Sequence, residues 1–255
     1  MIKIALQLYS LRDDITADFK GTLKKVKEFG YDGVELAGLQ GYSPEEVREM
    51  CREIGLIPIS AHVTIDELSN DVVESIRRYK AIGCEYVAIP WMDKSRLPGG
   101  ANYDKTKKVI NAAAVECEKQ GVILLYHNHD FEFDKLDGEY LLDILFSDIP
   151  AIQTEIDTCW VNVGGEDPVA YLKKYSKRAP LVHFKDFVSA KHQRETGSGF
   201  EFMPLGLGQQ NIEAIVTAAK EAGTKWAVIE QDNPSKNKTP CECARLSIEY
   251  LKKLC

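Results

Sequence analysis

The chain lacks the features that would place it among membrane, nucleic-acid-binding or disulfide-built proteins. No apolar run approaches the ~20 residues of a membrane-spanning helix. No dense Lys/Arg cluster is present and the formal net charge is −7, so a groove for a phosphate backbone is not expected. Cysteine is sparse, odd in number at seven, and scattered; Cys241-x-Cys243 lacks the two-residue spacer of zinc knuckles and redox motifs. A reduced thiol set and a cytoplasmic location are the expectation. The opening MIKIALQLYS reads directly as a strand, which leaves no place for a signal peptide. The glycine-rich phosphate turn of a doubly wound sheet is also missing, since the first strand leads into YSLRDD.

What is present is a repeated cadence. Strand candidates are Lys3–Tyr9, Gly33–Ala37, Ile57–Val63, Tyr86–Pro90, Val122–His129, Ile152–Asp157, Pro180–Asp186 and Trp226–Asp232. Amphipathic stretches separate them, as with Phe19, Leu23, Val26 and Phe29 at three- and four-residue spacing. Ser43-Pro44-Glu45-Glu46 opens a helix with a cap and a proline at its first position, and Gly30, Gly55, Gly83, Gly121 and Gly223 each close one. Eight strands alternating with eight helices in 255 residues predict a (β/α)8 TIM barrel in one domain. One connection is long: residues 187–208, rich in Ser, Gly, Gln and charge. Following the seventh strand, it would lie over the active face as a lid.

Polar residues close the apolar strands one after another: Glu35, His62, His127 and His129, Asp157, His183 and Glu230. Residues two apart in a strand share a direction. Leu125, His127 and His129 therefore share a face, as do Gln153, Glu155 and Asp157, then Leu181, His183 and Lys185, then Val228, Glu230 and Asp232. If those faces look inward, carboxylates and imidazoles converge at the rim where barrel enzymes carry their chemistry. Such a set suits one divalent ion: Mn, Co, Zn, Fe or Mg. Each residue has a plainer alternative, Asp157 as a turn cap, His183 as a core histidine and Lys185 as a surface partner of Asp186. Glu230 resists this, because a carboxylate following Ala-Val-Ile is rarely buried without a partner.

The segments LQLYSLR, GVELAG, SAHV, YHNHDFEF, EIDTCWVNVGGEDPVAYL, LVHFKDF, MPLGLGQQNIEAIV and VIEQD resemble, in order, the sugar phosphate isomerase/epimerase family with the xylose-isomerase-like barrel. The resemblance implies a TIM barrel and one divalent metal held by Glu, Asp, His and Glu on the later strands. It makes Asp157, His183 and Glu230 the second, third and fourth ligands. At the first position this chain carries His127 where family epimerases place a Glu. Either Glu132 reaches back from the loop, the favoured reading, or His127 ligates directly.

The implied activity is isomerisation or epimerisation of a keto-sugar or related polyol. A proton leaves the carbon beside a carbonyl, and the metal stabilises the enediolate. His127 or His129 suits the base near neutral pH, Glu230 is the carboxylate option, and Lys185 can neutralise an oxyanion. Gln7, Glu35 and His62 fit hydroxyl contacts. Tyr9, Trp91, Trp160 and Phe200 can stack on a sugar face, although for each aromatic core packing is the plainer role. Loss of a β-substituent after the same deprotonation would make the chain a lyase of the inosose dehydratase type. A non-catalytic sugar-binding barrel is the further alternative, and a nucleic-acid-cleaving barrel is disfavoured by the acidic balance. The expected partner is a small sugar or polyol; homo-oligomerisation is compatible with this composition and not specified by it.

Overall fold

A computed structural model of the chain describes residues 2–189 and 199–255. Eight parallel strands close into a barrel: β1 (Lys3–Gln7), β2 (Gly33–Leu36), β3 (Ile57–His62), β4 (Tyr86–Ile89), β5 (Ile123–His127), β6 (Gln153–Asp157), β7 (Leu181–Phe184) and β8 (Trp226–Ile229). Each strand pairs with its neighbours in sequence, and β8 pairs with β1. The outer helices run over Phe19–Phe29, Pro44–Ile54, Val72–Ile82, Tyr103–Gln120, Leu141–Asp148, Pro168–Lys174, Ile212–Ala222 and Pro240–Leu251. No helix among the described residues is long and apolar enough to cross a membrane.

Local chemistry sets these boundaries. Ser43 and Glu46 form a reciprocal cap at the start of Pro44–Ile54, and Thr239 with Glu242 repeats it before Pro240–Leu251. The five glycines that follow helices all take left-handed backbone angles, which only a residue without Cβ adopts freely. Phe19, Leu23 and Val26 bury one face of the first outer helix against the barrel.

The strands end earlier than the apolar runs imply. β1 stops at Gln7 because the Gln7 side chain accepts from the Tyr9 N–H and starts a 3-10 turn, Leu8–Leu11. β5 stops at His127, and β8 at Ile229, so His129 and Glu230 stand on the loops just above the sheet. After β7 the chain passes Lys185 and enters an antiparallel hairpin, Asp186–Val188 with Glu201–Met203. Residues 190–198 of the long connection lie outside the described residues.

Asp186 anchors that connection. Its carboxylate accepts from the backbone N–H groups of Phe187, Gly206, Gly208 and Gln210. It is therefore turned away from Lys185 and not paired with it, contrary to the plainer reading of that lysine.

The lower half of the barrel is an apolar plug of Ala5, Ile59, Tyr86, Ala88, Leu125, Leu181, Trp226 and Val228. Gly33 makes room for it. A Cβ there would stand 2.5 Å from the Ile57 carbonyl oxygen and 3.2 Å from the Trp226 ring. The backbone oxygen cannot give way, so Gly33→Ala is expected to cost about 1–3 kcal/mol. Thermal unfolding should register this as a fall in Tm of about 3–10 °C; an unchanged Tm would refute the tight approach.

Candidate metal and active site at the barrel mouth

On the plug sits a layer of charge. His127, Asp157, His183 and Glu230 each bring one donor atom within 4.8 Å of the others, and all four are buried. His127 Nε2 lies 3.3 Å from Asp157 Oδ2 and 4.0 Å from Glu230 Oε2, and His183 Nδ1 lies 2.9 Å from Glu230 Oε2. The strand register makes this convergence: Asp157 on β6 pairs with His183 on β7.

The donors are held from behind. His127 Nδ1 is 3.2 Å from the Pro90 carbonyl, which can only accept, so the ring donates there and a neutral His127 turns its Nε2 lone pair toward Asp157. Asp157 Oδ1 accepts from the Trp160 N–H, and Asn128 brackets the Asp157 backbone with two hydrogen bonds. A lone pair facing a carboxylate asks for a cation between them. Two carboxylates and two imidazoles, three of them (His127, Asp157 and His183) oriented by a hydrogen bond on the far side, form a donor set that fits a borderline divalent ion.

Lys185 supplies one positive charge already. Its Nζ lies 2.8 Å from Glu230 Oε2, 3.2 Å from Asp157 Oδ2 and 3.0 Å from Asp232 Oδ1. Burial works to lower its pKa, but Asp157, Asp232 and Glu230 together raise it well above the ordinary lysine value. Burial likewise opposes ionisation of Asp157, yet Lys185 and the His127 contact bring it down to about 2.

Beneath this cluster lies a second one: Glu35, His62, Glu155 and again His183. His183 Nε2 is 2.7 Å from Glu35 Oε2, and His62 Nε2 is 2.9 Å from Glu155 Oε2. Gln7 donates to Glu35 Oε2 at 2.9 Å. Gln7 and Glu35 thus belong to the barrel floor, while His62 also lines the cavity above. Glu155 had no assigned role in the sequence reading. Its signal was a glutamate two residues before Asp157, on the same face.

The cavity over both clusters measures about 600 Å³, with Tyr9, Trp91, His127, His129, Lys185 and Glu230 in its wall. Tyr9 and Trp91 are 45% and 51% exposed and form its outer lip. Trp160 stacks on His129 at 5.5 Å and lies parallel to Phe200 at 6.4 Å. Trp160 and Phe200 line a neighbouring hollow rather than the main cavity. Burial, followed by the charges of His127 and Lys185, pushes His129 well below the usual histidine pKa, so it is neutral at pH 7. Burial also lowers His127, only partly offset by Asp157.

Glu132 is not brought to the metal cluster, which corrects the favoured reading of the first ligand. Its Oε1 accepts from the Tyr126 hydroxyl at 2.5 Å and its Oε2 from the His129 backbone N–H at 2.8 Å. Both oxygens are spent on tying the 3-10 turn Phe131–Phe133 to β5. His127 stands at the cluster instead.

The sequence profile of the xylose isomerase-like TIM barrel family matches residues 23–254. Fold and rim cluster define a parallel barrel with a carboxylate–imidazole centre at its C-terminal mouth. The chain belongs to the xylose isomerase-like TIM barrel family. It is 24% identical over 200 residues to an inosose dehydratase of Geobacillus kaustophilus, covering 69% of this chain and 64% of that one. A second inosose dehydratase, from Lacticaseibacillus casei, is 23% identical over 51% of this chain and 47% of its own length. The matched region is thus about two thirds or less of these relatives. A sugar phosphate isomerase/epimerase from Parabacteroides distasonis superposes with a TM-score of 0.80 at 23% identity, covering 99% and 98% of the two chains. An L-ribulose 3-epimerase superposes at 0.72 with 13% identity over 99% and 94%. These two structures share the fold.

Burial raises the Glu132 carboxyl to about 7, against the pull of Tyr126 and the backbone donors. A carboxyl raised in the folded state stabilises below its unfolded value of about 4.5 and loses that contribution as pH rises through 7. Glu132→Gln removes the titration; its amide oxygen accepts from the His129 N–H and its NH2 donates to the Tyr126 hydroxyl oxygen, which reverses that bond. Its stability relative to the native chain should therefore rise by up to about 3 kcal/mol between pH 4.5 and 7.5. Melting curves at the two pH values test this, and metal content should be the same in both proteins. Loss of metal in Glu132→Gln would restore it as a ligand.

Proposed function

We propose that the chain is a divalent-metal-dependent isomerase or epimerase of a keto-sugar or related polyol, acting by proton removal beside a carbonyl. The observation that carries this reading is a neutral histidine, His129, in the wall of a cavity whose floor is a four-donor cluster. His127, Asp157, His183 and Glu230 would hold the ion, which supplies positive charge for the developing enediolate.

His129 takes the proton from the carbon beside the carbonyl. Trp160 and Phe131, stacked on it at 5.5 and 5.6 Å, fix the ring plane. The Lys185 ammonium faces the same cavity, and its positive charge stabilises the oxyanion. Phe200 and Phe202, described residues of the 187–208 connection, pack around Trp160 beside the site, and we assign Phe200 a place at the edge of the bound substrate.

One observation favours the second reading, a dehydratase. Burial opposes protonation of His62, but Glu35 and Glu155 raise its pKa, so an acid stands at the same cavity as the base. A proton delivered from His62 to a departing hydroxyl completes elimination; one returned to carbon completes isomerisation. The similarity to inosose dehydratases points the same way.

Incubation with Mn2+ and a panel of keto-sugars and inososes in heavy water tests both. In isomerisation deuterium should enter the product beside the carbonyl; in elimination the same deprotonation is followed by loss of water and leaves an unsaturated product. His129→Asn should slow this by about 10²–10⁴ while retaining its metal. An isomeric product supports the first reading and an unsaturated product, formed with loss of water, the second. Neither exchange nor an unsaturated product from manganese-loaded protein with any member of the panel would overturn the enolising chemistry, and full activity of His129→Asn would overturn the base. Phe200→Ala should raise KM up to about tenfold, the worth of one aromatic contact, with metal content unchanged. An unaltered KM would remove Phe200 from the substrate's surroundings.

A further inference from the structure

The lower cluster has a property that its hydrogen bonds do not explain. Glu35 and Glu155 are fully buried, and one oxygen of each, Oε1, has no hydrogen-bond partner. Among the described residues, the only nitrogen bases or cations within 4.0 Å of either carboxylate are His62 and His183. Lys185, the nearest ammonium among the described residues, is committed to Asp157, Glu230 and Asp232 in the layer above.

The spacing of the donors is informative. His62 Nε2 lies 3.4 Å from Glu35 Oε2 and 2.9 Å from Glu155 Oε2, while His183 Nε2 lies 2.7 Å from Glu35 Oε2 and 3.5 Å from Glu155 Oε1. Donors about 2.1 Å from a tetrahedral ion stand about 3.4 Å apart. The four side chains therefore outline a coordination shell with only small adjustments.

We propose that Glu35, His62, Glu155 and Nε2 of His183 form a second divalent-cation site, one layer below the first. His183 presents Nδ1 to the upper site and Nε2 to the lower one, so its imidazole links the two. The proton balance follows: His183 faces Glu230 with Nδ1 and Glu35 with Nε2, so when both ions are bound the protons on both of its ring nitrogens leave to solvent, as does any proton on His62 Nε2. The donor set of two imidazoles and two carboxylates selects Mn2+, Co2+ or Zn2+ over Ca2+. The inference shares His183 with the proposed active site and otherwise rests on residues that reading uses only as a floor and as a proton donor.

The test is the number of Mn2+ ions per chain, measured by equilibrium dialysis with plasma mass spectrometry on the full chain. Two ions are expected in the native protein, one in Glu155→Gln, one in His62→Asn, one in Asp157→Asn and none in His183→Ala. The Mn2+ paramagnetic resonance spectrum supplies a second readout: the doubly loaded protein should show spin–spin broadening that the one-ion variants lack. His62 is partly exposed, so His62→Asn keeps the test usable if the buried Glu155→Gln does not fold. One ion in the native protein, lost in Asp157→Asn and kept in both Glu155→Gln and His62→Asn, overturns the lower site alone. One ion lost in Glu155→Gln and His62→Asn but kept in Asp157→Asn supports the lower site and overturns the upper. No ion bound in any protein overturns both.

Discussion

Crowding of negative charge is the constraint on which this structure turns. Glu35, Glu155, Asp157, Glu230 and Asp232 all face one barrel mouth, and four of them are buried. Removing even one carboxylate from water costs several kcal/mol, and like charges nearby add to that cost. Among the described residues Lys185 is the one ammonium ion in contact with them, and it touches three. The histidines supply the rest of the compensation, by hydrogen bonding or by taking up protons. His183 is central because it touches both layers, Glu230 with one ring nitrogen and Glu35 with the other.

The rest of the barrel can be understood as support for that layer. Below it the apolar plug leaves the charges no water on their lower side, which strengthens every pairing above. The geometry follows from the two-residue period of the strands. On β6, Glu155 and Asp157 point the same way and stand two residues apart, so one serves the lower cluster and the other the upper. Register with β7 then sets His183 beside Asp157. Behind the ring of donors, the Pro90 carbonyl holds His127, and Asn128 and the Trp160 N–H hold Asp157, by backbone or amide contacts that do not titrate.

The eight strands, the glycine stops and the identity of His127, His129, Asp157, His183, Lys185 and Glu230 as rim residues were legible in sequence, because each depends on local period or position within one strand. What was not legible depended on reach across the barrel. Glu132 reads as a spare carboxylate near the site, yet its oxygens are taken by Tyr126 and His129 N–H, a contact set by the curl of a 3-10 turn. Asp186 reads as a partner for its neighbour Lys185, but adjacent residues of an extended chain point to opposite sides, and Asp186 gathers four backbone donors on the outer side. Glu155 lies inside β6 rather than at its end, so its part in a second cluster appears only once Glu35 and His62 close around it. Strand ends were overestimated wherever a rim side chain, such as Gln7, captures the next backbone N–H.

The exchange of a carboxylate for His127 on β5 bears directly on chemistry. Two carboxylates and two neutral imidazoles carry a charge of −2, which a divalent ion cancels; a third carboxylate would leave the loaded centre negative. With Lys185 adding one positive charge and Asp232 offsetting it from the rim, the mouth has little net charge with which to repel an enediolate. His127 cannot easily serve as the base as well, because its Nε2 faces Asp157 and its Nδ1 is fixed on Pro90. In the proposed mechanism the base is therefore His129, whose ring is held neutral chiefly by burial, with the positive charge of Lys185 nearby. The two residues of the HNH segment divide the labour by position, one pointing down into the cluster and the other into the cavity wall. Isomerase and dehydratase would both use that division, so what separates them is the delivery of the second proton, and His62 is the residue placed to decide it.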